Sequence, residues 1–408
     1  MPPASTSKSL APLAIRAYTA TTALGLGCAA QLDALRARRS GLRQNDFSAT
    51  ALDTWIGRVD GIEDAPLPSR LAYWECRNNR LAWLALQQDG VFDAVARLRH
   101  RLGPNRIAIV LGTSTSSIGA TEEAYARLDK EGAFPADLRR AGVHTPHSLG
   151  GFVQEATGLR GPCVTVATAC SSSAKVFAQA ARLIHAGIVD AALVGGVDTL
   201  CGSVLFGFNS LGLVSTTPCR PFDVARDGLS LGEAGGFAVL ERAHVGDGAP
   251  LLRGYGESSD AHHMSSPHPD GVGAQRSMRQ ALASAGVDAG EVGYLNLHGT
   301  ATPANDAVEA RAIADIFPPE LHASSTKGWT GHTLGAAGIV ESVFALLALQ
   351  HGVLPGTLNS IDADPACGPQ IRFANAEQPL AEQPLHLAMS NSFGFGGNNC
   401  SLLFGSAT

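Results

Sequence analysis

One cysteine, two histidines and one lysine each follow a short β-type run or lie in a glycine-rich turn. Cys170 follows the run 163–167 and precedes an Ala- and Ser-rich stretch, while His298, Lys327 and His332 occupy similar positions further along the chain. The carboxyl ends of strands are where α/β proteins place active sites. Cysteine together with histidine is typical of thioester, acyl-transfer or peptidase chemistry.

Cys170 lies in the sequence VTVATACSSSAK, where a predicted strand ends and a predicted helix, 171–187, begins. A helix N-terminus favours a thiolate and is expected to lower the thiol pKa, and its free N–H groups can hold an oxyanion. The alternative is a buried, inert cysteine followed by capping serines. That interpretation is kept for the other seven cysteines, none of which forms a CxxC pair: Cys28, Cys76, Cys163, Cys201, Cys219, Cys367 and Cys400. Sparse cysteine fits a reducing compartment.

His298 lies in YLNLHGTATPANDAVEARAI, at the end of a predicted strand. Thr300 and Thr302 offer hydroxyl groups on the loop that follows it. Asp306 and Glu309 fall in the first turns of the next predicted helix, where carboxylates suit the helix dipole. The alternative is a core histidine beside an ordinary helix cap.

Lys327 lies in SSTKGWTGHTLGAAGIVESVF, between apolar segments and five residues before His332. Glycines at 331 and 335 permit close approach of backbone or ligand. Glu341 is on the predicted helix that follows and is positioned to pair with Lys327. A lone lysine is usually a solvated surface group, but this chain has only four: Lys8, Lys130, Lys175 and Lys327.

Near the C-terminus, SNSFGFGGNNCSLLF places Phe393 and Phe395 among three glycines. A strand pattern follows rather than a helix, so this is not a dinucleotide phosphate loop. Backbone N–H groups of such a loop can line a site, and an aromatic ring between glycines can swing. The alternative is a glycine-rich turn between core strands.

Short β-rich runs alternate with helical stretches, which predicts an α/β fold with largely buried parallel sheets. The predicted strands are 106–111, 163–167, 190–195, 235–240, 292–297 and 386–391, after a first strand and turn within IRAYTATTALGLG. The predicted helices are 27–39, 72–101, 119–130, 171–187, 273–286, 304–315 and 335–351. Helices 171–187 and 335–351 are apolar almost all round, so we expect both to lie between sheets. No sequence repeat is visible.

The composition excludes several classes of protein. Of 408 residues, 45% are hydrophobic and 16% charged, which supports a large core, and a net charge of −6 gives no reason to expect nucleic acid as partner. No apolar run approaches the ~20 residues of a membrane span. We therefore expect a soluble, cytoplasmic protein. A change of composition near 241–252 separates a longer first part from a shorter second part.

Together with RPFDVARDGLSLGEAGGFAVLER at 220–242, these motifs resemble the β-ketoacyl-[acyl-carrier-protein] synthase family, types I and II, from about residue 12 to 405. Two related families fit less well: thiolases have a second catalytic cysteine, and type III synthases have Asn in place of the second His, whereas this chain has His298 and His332. The resemblance implies the thiolase fold, a five-layered α-β-α-β-α arrangement of two similar halves, here 10–245 and 250–406. It also implies a dimer and an acyl carrier protein as partner.

The family's site roles carry over to the matching positions. Cys170 is implied as the acyl-accepting nucleophile, with His298 and His332 supporting malonyl decarboxylation and Lys327, paired with Glu341, orienting the site electrostatically. The resemblance also implies an oxyanion hole from the N–H groups of Cys170 and Phe395, and gating by Phe395 and Phe393. It implies structural support from Asp306 and Glu309, phosphopantetheine contacts from Thr300 and Thr302, and carrier docking by Arg220. Arg77 and Arg80 are further docking candidates, outside the positions that the family matches. No metal and no cofactor beyond the carrier's phosphopantetheine are implied.

A finer resemblance rests on TACSSSAK, CRNNRLAWLALQQ and STKGWTGH. These segments are similar to ketosynthases of bacterial aryl polyene clusters, including xanthomonadin-type ones, which extend conjugated chains on a carrier. The catalytic subunit there pairs with a chain-length-factor-like homologue, so both a homodimer and a heterodimer stay open. The alternatives are a fatty-acid elongation synthase of primary metabolism, a carrier-binding subunit without catalysis, and a Cys–His hydrolase.

Overall fold

The computed structural model describes residues 10–47, 50–244, 246–379, 382 and 384–407. Lys8 and Val245, the last residue of the expected first half, lie outside this set. The helices are α1 (Gly27–Arg36), α2 (Arg77–Leu86), α3 (Val91–Leu102), α4 (Ile118–Ala126), α5 (Ser148–Thr157), α6 (Ser172–His185), α7 (Gly202–Ser210), α8 (Val272–Ala285), α9 (Pro303–Ala314), α10 (Lys327–Thr330) and α11 (Ala337–His351). The strands are β1 (Leu13–Thr21), β2 (Arg43–Gln44), β3 (Trp55–Gly57), β4 (Ile107–Gly112), β5 (Cys163–Val166), β6 (Ala191–Asp198), β7 (Leu231–Gly232), β8 (Ala234–Arg242), β9 (Leu251–Ser259), β10 (Tyr294–Asn296), β11 (His322–Ser324), β12 (Val353–Leu354), β13 (Ala376–Glu377), β14 (Leu387–Gly394) and β15 (Asn398–Gly405).

Ten strands form one sheet in the order β11-β10-β14-β15-β9-β1-β8-β6-β4-β5. The two halves pair their strands in the same way. In the first half, β1–β8 and β8–β6 are antiparallel, while β6–β4 and β4–β5 are parallel. In the second half, β9–β15 and β15–β14 are antiparallel, while β14–β10 and β10–β11 are parallel. The halves meet at β1 and β9, through Leu13 opposite Leu252 and Ala14 opposite Leu251. The structure is therefore duplicated although the sequence shows no repeat.

The expectation of largely parallel sheets is wrong for the strands nearest this seam. The link between β14 and β15 is the turn Phe395–Gly397. A parallel pair needs a crossover of a dozen residues or more, so these two strands can only form an antiparallel hairpin.

Helices and half-sheets alternate in five layers. Helices α6 and α11 lie between the half-sheets, where Phe177 and Ile339 belong to a core shared with Val194 on one side and Leu402 on the other. Helices α2, α3 and α5 cover the outer face of the first half-sheet. Helices α8 and α9 cover that of the second. The sandwiched position expected for the two apolar helices is confirmed.

The expectation that no apolar run approaches the length of a membrane span is wrong for the segment 334–351, which by length and composition is long and apolar enough to cross a membrane. Within this structure 89% of it is buried. Every residue from Ala337 to Leu349 is buried, because half-sheets flank α11 on both faces. Its apolar composition is therefore that of a core helix.

The single helix expected over 72–101 is wrong. The structure has a 3-10 segment, Ser69–Trp74, followed by α2 and α3. Asp89 and Gly90 have φ values of 50° and 68°, a left-handed conformation that ends one helix and starts the next. The Asp89 carboxylate accepts the Thr19 hydroxyl at 2.6 Å and the Cys28 N–H at 2.8 Å. These contacts come from residues far away in sequence and hold the break in place.

Candidate active site

Cys170 lies on a sharp turn between β5 and α6. A 3-10 turn, Ala169–Ser171, connects them, and Ala169 has φ of 51°, a strained value for a residue other than glycine. Gly394 packs against this turn so closely that a Cβ atom there would lie 2.7 Å from the Thr168 carbonyl oxygen. The close approach brings the turn after β14 onto the cysteine. Glycine at 394 is therefore required by the site's geometry.

The Cys170 thiol is buried, with 5% of the residue exposed. Burial raises the pKa of Cys170 to about 11, although the Lys327 charge and the N–H groups of Phe395 and Cys170 itself act in the opposite direction. The expectation that a helix N-terminus leaves this thiol with a lowered pKa is wrong, because desolvation of the thiolate outweighs those stabilising groups.

His332 contacts the thiol directly: its Nε2 atom lies 3.0 Å from Cys170 Sγ. The Leu334 N–H donates to Nδ1 of His332 at 3.1 Å, so in the neutral ring the proton is on Nε2. Burial and the Lys327 charge hold the pKa of His332 well below its usual range. His332 is therefore a neutral imidazole that presents an N–H to the thiol.

His298 forms the second side of the site. Its ring is perpendicular to that of His332, with centroids 5.5 Å apart. Lys327 Nζ lies 3.4 Å from His298 Nδ1, which leaves Nε2 as the protonated ring nitrogen, as in His332. Burial, Lys327 and His332 hold the pKa of His298 well below its usual range. Two neutral rings thus face one point beside the thiol.

Lys327 and Glu341 form a buried ion pair, with Nζ and Oε1 2.5 Å apart and 1% and 3% of the residues exposed. Lys327 Nζ also donates to the His298 carbonyl. Burial raises the pKa of Glu341 to about 7, while the lysine opposes the rise. The ammonium group is thereby fixed between the helix α11 and the His298 loop.

Two carboxylates on α9 hold the His298 loop by its backbone. Glu309 accepts the N–H groups of His298 at 2.9 Å and Gly299 at 2.7 Å. Asp306 accepts those of Thr300 at 2.9 Å and Phe222 at 2.8 Å. Burial raises the pKa of both carboxyls, that of Glu309 to about 7. Neither contacts the Cys170 thiol, so both are placed to act through the loop.

A cavity of about 260 Å³ opens onto this centre. Its polar wall includes Thr300 and Thr302, whose hydroxyl oxygens are 2.8 Å apart. Its apolar wall includes Phe393, Phe395 and Phe208, and the Phe395 ring stacks on Phe208 with centroids 5.7 Å apart. The structure thus brings together the cysteine, both histidines, both threonines and both phenylalanines.

The arginines considered for carrier docking lie elsewhere. Arg220 is half-buried and donates to the Thr217 hydroxyl at 3.0 Å. It is not among the described residues that line the cavity beside Cys170. Arg77 is paired with the buried Glu233 and with Glu63. Arg80 is paired with Glu75. The charges of Arg77 and Arg80 are therefore neutralised within the chain.

Sequence reasoning missed Asp198, at the carboxyl end of β6. This fully buried carboxylate accepts the Gly335 N–H at 2.7 Å and the Ser114 N–H at 2.8 Å. It thereby ties the turn after His332 to the end of β4. An acidic residue directly after the apolar strand, in DAALVGGVD, was the available signal.

Two family models show which protein family the chain belongs to. The β-ketoacyl synthase N-terminal domain model matches residues 78–245, and the C-terminal domain model matches residues 250–360. The chain belongs to the β-ketoacyl synthase family. The thiolase fold expected from the resemblance is confirmed, since similar ketosynthase structures cover nearly the whole chain.

The similar proteins are named as 3-oxoacyl-[acyl-carrier-protein] synthases or ketosynthases. The mitochondrial 3-oxoacyl-[acyl-carrier-protein] synthase of Arabidopsis thaliana is 42% identical over 63% of this chain, and the match spans 59% of that protein. The 3-oxoacyl-[acyl-carrier-protein] synthase 2 of Staphylococcus aureus is 33% identical over 74% of this chain and 77% of that one. The ketosynthase ApeO of Xenorhabdus doucetiae, solved with its chain length factor ApeC, matches with a TM-score of 0.87 and 36% identity over 97% of this chain and 98% of the other.

Proposed function

We propose that this β-ketoacyl synthase condenses a Cys170-bound acyl chain with malonyl-[acyl-carrier-protein] and releases CO2. The observation that supports it best is the convergence of the Cys170 thiol with two neutral imidazoles, His298 and His332, at the end of one cavity. A hydrolase would use the histidine as a base towards the thiol. Here the Leu334 N–H occupies the other nitrogen of His332, so that ring donates towards the sulfur.

In the first half-reaction, the Cys170 thiolate attacks the acyl-carrier thioester. The N–H groups of Cys170 and Phe395 stabilise the oxyanion of the tetrahedral intermediate, a role that their hydrogen bonds to the sulfur support. The carrier sulfur leaves and takes up the proton that Cys170 has lost. The products are an acyl-cysteine and a free carrier thiol.

In the second half-reaction, malonyl-carrier enters and loses CO2. The electron pair of the broken C–C bond moves onto the thioester, and the Nε2–H groups of His298 and His332 stabilise the enolate oxygen. The enolate carbon attacks the acyl-cysteine carbonyl and expels the Cys170 thiolate, which regains a proton from solvent. Lys327 orients His298 and adds positive charge near the enolate.

Substrate delivery is assigned to the rest of the cavity. Thr300 and Thr302 contact the phosphopantetheine arm, and Phe395, with Phe393, gates the acyl path by leaving its stack on Phe208. Arg220 is the residue proposed for carrier docking. Asp306 and Glu309 act as structural support for the loop.

No cofactor beyond the carrier's phosphopantetheine is proposed. The ligand atoms of Cys170, His298 and His332 lie within 4.8 Å of one another, a spacing that a metal ion can use. The Lys327 ammonium beside His298 opposes a dication at this point, because like charges in a buried site repel strongly.

We further propose that the chain is the catalytic subunit of an aryl polyene-type pathway, soluble in the cytoplasm and built from halves 10–245 and 250–406. The similarity to a ketosynthase solved with its chain length factor supports a heterodimer with such a partner, with a homodimer as the alternative. The 3-oxoacyl synthase relatives favour fatty-acid elongation as a second candidate.

Product analysis tests these proposals. Acyl-carrier thioesters, saturated or polyene, are incubated with malonyl-carrier and the protein, alone and with a co-expressed partner subunit. We expect 3-oxoacyl-carrier as product, with polyene acyl groups preferred. Equal use of saturated chains would support the fatty-acid alternative, and release of free acid without chain extension would overturn the ketosynthase reaction.

A further inference from the structure

The segment 220–242, which carries part of the family resemblance, contains an arginine that is almost fully buried. Only 6% of the Arg226 side chain is exposed. A guanidinium group stays charged in proteins, and burying it costs free energy unless carboxylates or carbonyl groups pair with it. The partners of Arg226 therefore indicate which parts of the chain it holds together.

The Arg226 guanidinium joins three chain segments. Its Nη1 atom donates to the Asp364 carboxylate at 2.5 Å and to the Asp223 carbonyl at 2.9 Å. Its Nη2 atom donates to the carbonyl of Pro303, the first residue of α9, at 3.3 Å. A planar group with a fixed fork of donors can bridge segments in this way, whereas a lysine ammonium is a single point charge.

A further partner is Asp306, one of the two carboxylates that hold the His298 loop. Arg226 Nε lies 3.8 Å from Asp306 Oδ2 and has no hydrogen-bond partner among the described residues. Burial raises the pKa of Asp306, and the charge of Arg226 acts in the opposite direction. Oδ1 of the same carboxylate accepts the Thr300 N–H at 2.9 Å. Arg226 thus stabilises the anion that fixes the backbone at Thr300.

The segment also packs directly against the His298 loop. Phe222 has φ of 62°, an uncommon value for a bulky residue, and its N–H donates to Asp306 Oδ2 at 2.8 Å. A Cβ atom at Gly299 would lie 2.7 Å from the Phe222 ring. The loop therefore has little room to move as long as Asp306 keeps its partners.

Arg226 acts on the catalytic cavity from behind its wall. Thr300, Thr302 and Pro303 line the cavity, whereas Arg226 is not among the described residues that do so. Arg226 reaches that wall through the Pro303 carbonyl and the Asp306 carboxylate. Loss of its side chain should displace the two threonine hydroxyl groups and leave the Cys170 turn in place.

Resting on the proposed function, we propose that Arg226 is a positioning residue for the pantetheine arm of the carrier-bound substrates. It holds the loop 300–303 so that the hydroxyl groups of Thr300 and Thr302 meet the arm. A thioester without the arm gains nothing from these hydroxyl groups, so its reaction with Cys170 does not depend on Arg226. The role therefore predicts a loss confined to substrates that carry pantetheine.

The test compares Cys170 acylation by two thioesters of the same acyl group: acyl-pantetheine and an S-ethyl thioester, which lacks the amide and hydroxyl groups of the arm. Neither includes the carrier protein, so carrier docking does not enter the comparison. In Arg226→Met, the second-order rate constant for acyl-pantetheine should fall at least about tenfold, because small displacements of positioning groups are costly. The rate with the S-ethyl thioester should stay unchanged. Arg16→Met, which breaks the ion pairs of Arg16 with Glu241 and Asp247, is the matched control and should alter neither rate.

Two further variants show whether Arg226 acts through the threonines. In the double variant Thr300→Val/Thr302→Val, adding Arg226→Met should cause no further loss with acyl-pantetheine, because residues that act as a unit are not additive. Arg226→Lys keeps a charge beside Asp306 without the fork of donors. It should show the same selectivity with a smaller loss, and it provides the same comparison should Arg226→Met fail to fold.

Each alternative outcome has a definite meaning. An equal loss with both thioesters would assign Arg226 a general structural role and overturn the inference. So would an unchanged rate with acyl-pantetheine, or a further loss when Arg226→Met is added to the threonine double variant. Absence of Cys170 acylation by any thioester in the unaltered protein would instead overturn the proposed function.

Discussion

The Nε2 atom of His332 lies 3.0 Å from Cys170 Sγ, while the Leu334 N–H occupies the opposite ring nitrogen. On the proposed function, the imidazole therefore donates towards negative charge at or near the sulfur and does not accept the thiol proton. It can serve both half-reactions in the same protonation state. A histidine that donates an N–H towards the sulfur, instead of accepting the thiol proton, distinguishes the proposed condensing site from the site of a Cys–His hydrolase.

The nucleophile is tested by Cys170→Ala. The variant should lose acyl loading and condensation completely, because no other described thiol contacts His332. Its melting temperature should stay within a few degrees of the original, since one Sγ atom is removed. Cys28→Ala, which alters a half-buried thiol far from the site, is the control and should retain both activities. Condensation by the Cys170→Ala protein would exclude Cys170 as the nucleophile.

The pH dependence of thiol reactivity follows from burial. The pKa of Cys170 is raised to about 11, so the reactive thiolate is a small fraction at pH 7 and grows as pH rises. Alkylation of Cys170 by iodoacetamide, followed by peptide mass spectrometry, should accelerate about tenfold per pH unit from pH 7 to about pH 10. A plateau near pH 8 to 9, as for an ordinary cysteine, would contradict this reading.

The Lys327–Glu341 pair is tested by comparing a single variant with the double variant. Lys327→Met leaves Glu341 buried without its partner and should cost about 3–5 kcal/mol of unfolding free energy. Adding Glu341→Leu should restore much of that stability, measured by urea denaturation. Malonyl decarboxylation should stay impaired in the double variant, since His298 has lost the ammonium group. Recovery of activity together with stability would reduce the pair to a structural element.

Asp198 is predicted to be a positioning residue for His332. Asp198→Asn replaces one carboxylate oxygen with an NH2 group. Both oxygens accept backbone N–H groups, those of Thr115 on one and of Ser114 and Gly335 on the other, so the turns that they join should shift. Malonyl decarboxylation should fall about a hundredfold, as expected when a reacting group moves by about 1 Å. Alkylation of Cys170 should change less than about twofold, since β5, α6 and Gly394 hold that residue. An equal loss in both assays would indicate general disruption.

Local patterns account for what the sequence predicted well. Cys170, His298 and Lys327 each follow a strand or precede a helix within one short segment, so their neighbourhoods can be read locally. The pKa of the Cys170 thiol could not be predicted from its local sequence, because it depends on burial by β14 and α11, which are distant in sequence. Asp198 was missed for the same reason: its partners Ser114 and Gly335 are 84 and 137 positions away. The break between α2 and α3 is likewise held by Thr19 and Cys28.

Intact-protein mass spectrometry distinguishes a condensing enzyme with Cys170 as nucleophile from the alternatives. The protein is incubated with an acyl-carrier thioester, digested in part to map the adduct, and then exposed to malonyl-carrier. We expect a mass increase of one acyl group located on Cys170, which disappears as 3-oxoacyl-carrier forms. An adduct on another residue would exclude Cys170 as the nucleophile. An adduct on Cys170 that malonyl-carrier leaves unchanged in the presence of the partner subunit would exclude condensation.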